Sequence, residues 1–189
     1  MATQIPILGD STGNIRIDGG IFEASQSSAL HIQKGNIIQI KGGIFKGSYA
    51  GATIHNVNSL SITGGTFEGN IHGIVISNIA NGLEEILTGG TYKSSELGEE
   101  RSAGAILVMG DNNKRNDIFN VLVGDNHHYS DKFEVREIST SANELGPSYD
   151  YLSYIKNVSV VEGAPTAEQK IDKVVAEEKK NKQKNQKKK

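Results

Sequence analysis

The side chains in this chain that could do chemistry are few and scattered. Histidines stand at His31, His55, His72, His127 and His128, and there is no cysteine. The lack of thiols excludes disulfides, thiolate metal sites and a cysteine nucleophile. His31 and His55 fall two positions out of step when their segments are aligned, and the adjacent His127 and His128 face opposite ways in a strand. No metal centre is expected from them. The run DNNKRND at 111–117 gathers oxygen ligands. Arg115 takes the fifth position of an EF-hand loop there and no glycine takes the sixth, so a polar turn is expected instead. No cofactor is expected, and calcium at this run is the one candidate cation. The side chains that could grip a ligand, by charge, hydrogen bonding or ring stacking, are Tyr92, Glu96, Glu99, Arg101, Asp111, Arg115, Asp125, His127 and Tyr129. They are set apart by the elements around them.

Those elements repeat. IDGGIFEA begins at Ile17, IKGGIFKG at Ile40, ITGGTFEG at Ile62 and LTGGTYKS at Leu87. The second glycines, at Gly20, Gly43, Gly65 and Gly90, recur at a period in the twenties, which signals a solenoid. A leucine-rich repeat shares this period. Only Val57, Leu60 and Ile62 fit its spacing, and the equivalent first positions in the other repeats are Thr12, Gly35 and Gly82. Helical periodicity is missing too. NIRID, IIQIK and LSIT alternate as strands do. The expected fold is all-β: a parallel β-helix solenoid of about 22–25 residues per coil, followed by a C-terminal helix.

Each coil can be drawn. Ile17, Ile40, Ile62 and Leu87 stack inward on a first strand. The glycine pair then turns the chain, because glycine takes positive φ without a Cβ clash. A second strand points Phe22, Phe45, Phe67 and Tyr92 inward. A third, read in SALHI, GATIH, HGIVI and GAILV, stacks Ile32, Ile54, Ile76 and Val108. Asn14, Asn36 and Asn58 are placed to hydrogen-bond from coil to coil. Glu23, Lys46, Glu68 and Lys93 alternate in sign, as expected of register control between neighbouring strands.

The repeat frays after Tyr92. An extra segment, SSELGEERS, occupies 94–102, a second insertion occupies 110–117, and VLVGDNHHY is expected to form a decayed fifth coil. In that coil Val121 and Val123 point inward and Asp125-Asn126 replaces the glycine pair. Insertions in solenoids map to loops on one face that often binds. Hence 94–102, 110–117 and 124–131 are expected to form the binding face, with the tyrosines at 149–154 as further stacking groups. Atypical end coils acting as caps are the competing explanation. The domain reading is a β-helix over 1–130, an irregular β cap over 131–163, an amphipathic helix over 164–180 and a disordered Lys-rich tail over 181–189. The helix has a capping box at Thr166 and Gln169.

Charge divides the chain. Residues 1–178 hold 13 basic against 22 acidic side chains, giving −9, and 179–189 carry seven lysines, giving +7. The tail could meet a polyanion through charge alone, but it has no interleaved aromatics, so nucleic acid is not otherwise expected as a partner. No apolar run approaches the ~18 residues of a membrane span, and the N-terminus lacks the basic and apolar regions of a signal peptide. The sequence leaves the location open: the extracellular or virion surface if the chain is a fragment of a longer protein, and otherwise the cytoplasm.

The four [IL]-x-GG-[IT]-[FY] units with their Gly-Ala third strands, over about residues 13–126, resemble the right-handed parallel β-helix, or pectin-lyase-like, superfamily. Similar GGTF repeats occur in bacterial surface proteins and phage-derived spikes. The resemblance implies polysaccharide lyase or glycoside hydrolase activity, which would need acids on neighbouring coils. Asp18, Lys41, Thr63 and Thr88 occupy one outward row and Arg16, Gln39 and Ser61 another, and neither pairs two carboxylates as glycoside hydrolysis requires. The function expected is therefore a non-catalytic binding or structural module, recognising glycan or another cell-surface component. An enzyme or its truncated relic, and a component that self-associates end to end, are the alternatives.

Overall fold

The structure, a computed structural model, describes residues 7–8, 13–97, 102–112, 114–115, 117–143 and 146–164. The helix and tail expected over 164–180 and 181–189 lie outside the described residues from 165 onward. In chain order the strands are β1 (Ile7–Leu8), β2 (Ile15–Ile17), β3 (Ile21–Ala24), β4 (Leu30–Ile32), β5 (Gly35–Ile40), β6 (Ile44–Gly47), β7 (Ala50–Ile62), β8 (Thr66–Gly69), β9 (His72–Ile79), β10 (Thr91–Ser94) and β11 (Gly104–Asp111). A short helix, α1 (Ile118–Leu122), follows, then β12 (His127–Tyr129), β13 (Glu134–Asn143), β14 (Gly146–Tyr154) and β15 (Asn157–Glu162).

The fold is a β-solenoid of about four turns. One parallel sheet stacks the second strands in the order β10-β8-β6-β3. The other runs β1-β4-β7-β9-β11 and takes in the first strands through β2-β5-β7. β7 serves both purposes, since it carries the third strand of one coil and the first strand of the next. It bends between them at Asn56, whose φ is 50°.

The inward ladders stack in register. Ile17 lies opposite Ile40 and Ile40 opposite Ile62, and single bridges extend the row to Leu87 and Val123. Ile32, Ile54, Ile76 and Val108 form a second row. The third is a column of rings. Phe22, Phe45, Phe67 and Tyr92 lie face to face, with successive centroids 4.9, 4.8 and 5.3 Å apart and planes within 8° of parallel. Strand spacing sets this distance, because neighbouring coils lie ~4.8 Å apart. The second glycine of each pair makes the preceding corner, with φ of 113° at Gly43 and 107° at Gly65.

Two asparagine ladders tie the corners. Asn36 Nδ2 donates to Asn14 Oδ1 and Asn58 Nδ2 to Asn36 Oδ1, each at 2.9 Å. A second ladder, at the corner after the third strand, was not anticipated: Asn78 Nδ2 donates to Asn56 Oδ1 at 3.0 Å and Asn56 Nδ2 to the Gln33 carbonyl at 3.1 Å. Asn36 is the middle member of the first ladder and makes two of these bonds. Asn36→Ala is expected to lower stability by about 1–2 kcal/mol, read as a fall in the urea midpoint with the slope unchanged. An unaltered midpoint would show that water replaces both bonds at no cost.

The end of the solenoid differs from expectation. The fifth coil opens with helix α1 rather than a strand, and Ile118, Phe119 and Leu122 supply its buried face while Val121 is only half-buried. A helical turn puts residues four apart on one side, so Ile118 and Leu122 point inward together. Asn126 does replace the second glycine, with φ of 62°. The described residues of 131–163, expected to be an irregular β cap, form antiparallel strands whose pairings carry register shifts at Val108/Asp111 and Glu137/Ser139. β14 pairs with the outer edge of β11 and β13 with β14. β15 lies antiparallel between β10 and β12. Both sheets thus switch from parallel to antiparallel at this end.

Candidate functional site

A coil has three corners, and each of the three insertions follows a different strand. Among the described residues, 95–97 follow the second strand, 112, 114 and 115 the third, and 124–126 the first, so these parts leave the solenoid at three different corners. The described parts of the three insertions are thus not brought together on one face.

The candidate residues are correspondingly dispersed. Tyr92 is wholly buried as the last ring of the aromatic column, and its hydroxyl donates to the Gly89 carbonyl at 2.9 Å. Tyr129 is also buried, edge-on to Phe133. Burial raises the pKa of both hydroxyls, and neither ring is open to stack on a ligand. The core has taken them because column and cap both need aromatic volume. Arg115 reaches Glu84 at 3.4 Å and Asp117 at 3.5 Å, and its backbone N–H donates to the Tyr151 hydroxyl. Asp111 sits at the end of β11 opposite Tyr149. Asp125 is exposed, and its carbonyl accepts from His127 Nδ1 at 2.9 Å. Glu96 donates its backbone N–H to the Asn70 carbonyl. Glu99 and Arg101 lie outside the described residues. Among the later tyrosines Tyr151 is buried, Lys114 lies over the Tyr149 ring at 5.5 Å, and Arg136 covers the Tyr154 ring at 3.4 Å.

A different set of residues does converge. The outward side chains of the second strands form rows along the stack, with Glu23 opposite Lys46, Lys46 opposite Glu68 and Glu68 opposite Lys93. Just past them, at the corner, stand Ser25, Ser48, Asn70 and Ser95. Most of these residues line an open groove of about 450 Å³ that crosses all four coils. Gly47 and Gly69 line it as well. A Cβ at either would stand 2.0 or 2.1 Å from the carbonyl oxygen of Ala50 or His72. Only glycine lets the corner close so tightly, and bare backbone forms that part of the groove.

The groove's electrostatics follow from its rows. Carboxylate and ammonium alternate along the row, with Glu23, Lys46 and Glu68 lining the groove and Lys93 continuing the row beyond it, so each carboxylate has an ammonium on a neighbouring coil. A polyanion laid along it would meet a carboxylate at every second coil, at a distance too short to be screened. A neutral polymer of hydroxyl groups would meet acceptors and donors in turn. The chemistry available is hydrogen bonding at a fixed repeat. The two carboxylates, Glu23 and Glu68, are separated by a whole coil and by Lys46. Among the described residues no three His, Asp or Glu side chains gather as metal ligands.

The groove was legible as a pattern. Its charged row stands three residues after each second glycine and its polar row five residues after. The first row is explained by register alone, and only the second, which no ladder needs, points to a surface. Comparison with protein-family models, with curated proteins and with solved structures finds no match to this chain.

Proposed function

We propose that the chain is a non-catalytic binding module that recognises a neutral glycan or a similar hydroxyl-rich surface polymer lying along its groove. The observation that carries this reading is the recurrence of one polar side chain per coil beside a charge-balanced row. A coil spacing of ~4.8 Å is close to the advance of an extended pyranose chain, so one sugar can face one coil. Affinity then comes from several weak polar contacts rather than from a deep pocket. Kinship with the pectin-lyase-like superfamily belongs to the same proposal and rests on the coil repeat alone.

A glycan array probed with the whole chain, paired with a reducing-sugar release assay, tests it. Binding to neutral glycans without release is expected. Asn70→Trp, which fills the groove, and Lys46→Glu, which makes its row anionic, should each reduce binding at least tenfold. Release of sugar ends would favour the enzyme alternative, and no binding to any glycan would sink the proposal. Self-association has one observation in its favour: among the described residues no strand pairs with the outer edges of β2 and β3. Concentration-dependent size by sedimentation would support it.

A further inference from the structure

His31 and His55 fall out of register in the sequence, and the structure brings them together nonetheless. His31 on β4 lies opposite Thr53, and His55, two residues along β7, lies opposite Ser77 on β9. The histidines are therefore a diagonal pair, a separation that long or ring-bearing side chains can bridge. Their ring centroids stand 5.9 Å apart with the planes inclined by 63°. Both rings are half-buried on the outer face of the sheet.

The surroundings fix the His55 ring. Its Nδ1 is hydrogen-bonded to Ser77 Oγ at 2.5 Å. Ser77 is on the β9 side of β7 and His31 on the β4 side. Ser77 engages Nδ1, which leaves Nε2 as the nitrogen through which His55 could ligate. Beside the pair, Thr53, on the same side of β7 as His55, is buried and bonded to Ser28 Oγ at 2.6 Å.

We propose that His31 and His55 form a two-histidine clip for a divalent transition-metal ion of the zinc, copper or nickel class, with water completing the coordination. Imidazole suits these ions. Two rings that each reach about 2.1 Å to a shared ion have centroids on the order of 5–6 Å apart, as this pair does. Ser77 would play the orienting part that a hydrogen-bonded neighbour plays for metal-bound histidines, holding the ring and accepting from Nδ1–H when Nε2 ligates.

The test uses the whole chain with Zn²⁺ and Cu²⁺. Calorimetric titration with Zn²⁺ should show one site. His31→Gln and His55→Gln should each weaken it at least tenfold, and Ser77→Ala about tenfold. In NMR spectra, substoichiometric Cu²⁺ should broaden the ring signals of His31 and His55 before those of His127 and His128. Equal Zn²⁺ affinity in the wild type and both glutamine variants would overturn the proposal, as would broadening centred on His127 and His128. If a glutamine variant loses its folded spectrum, the wild-type Cu²⁺ broadening pattern decides alone.

Discussion

Phe67→Ala is expected to remove about 3–5 kcal/mol of stability, a large share of what a domain of this size holds. Phe67 is wholly buried and is gripped on both faces, by Phe45 at 4.8 Å and Tyr92 at 5.3 Å. Its loss forfeits the transfer of the ring from water. It also forfeits two stacked contacts, each worth about 0.5–1.5 kcal/mol beyond burial. The hole would not collapse easily, because backbone ladders hold the rings on either side at the strand spacing. In a solenoid each coil touches only its neighbours, so the break also weakens the coupling between the second and fourth coils. Urea denaturation measures the effect. Phe67→Leu, which keeps much of the volume, should cost markedly less. A loss below 1 kcal/mol for Phe67→Ala would mean that the column is ornament rather than core.

The second large effect is acid sensitivity through His72. This ring is buried, lies edge-on to Tyr49 at 5.5 Å, and its Nδ1–H donates to the Gly104 carbonyl at 3.2 Å. Burial lowers its pKa to about 4, and the bond to Gly104 offsets part of that shift. In the unfolded chain the imidazole titrates near 6.5. Above that pH it is neutral in both states and contributes nothing to pH dependence. As the pH falls from 6.5 toward 4, the unfolded chain takes up a proton that the folded chain refuses. Stability therefore declines across that window, by up to ~3 kcal/mol at its acid end. Urea midpoints measured at pH 7 and pH 4.5 should draw together in His72→Gln relative to the wild type. Identical pH slopes in the two proteins would exclude His72 as the cause.

What the sequence disclosed, and what it hid, divides along the line between repetition and singularity. The glycine pairs and the aromatic column occur at a fixed offset in each of the four coils, and Asn14, Asn36 and Asn58 recur 22 residues apart, so alignment alone stacks them. The second ladder was hidden because its first-coil member is Gln33, which takes part through its carbonyl rather than its side chain. Strand β1 has only two residues, too few to show any alternation. In the fourth and fifth coils the offsets change, and α1 replaces a strand where Val121 and Val123 read as an alternating pair. KFEVREI and YLSYIKNVSVV read as strands from their alternation. Their antiparallel partners did not, because a pairing between β10 and β15 leaves no periodic trace. Tyr92 and Tyr129 illustrate the limit for the candidate site: an aromatic that suits a sugar suits a core equally well. The diagonal meeting of His31 and His55 required knowing how far two rings reach across a register, which spacing along the chain does not state.

The strand β15 has a consequence for the order of assembly. It lies between β10 and β12 and holds the last parallel strand of its sheet by antiparallel pairing. Everything it joins is made before it. On a ribosome the coils can settle one upon another from the N-terminal side as they emerge, each needing only the coil before it. The growing stack nevertheless keeps a bare edge at β10 until residues near 160 are available. That closure spans a long stretch of chain and so is the slow step in topological terms. Growth by adding coils would thus be easiest ahead of β2, since any coil inserted after β10 would have to displace the strand that ends the array.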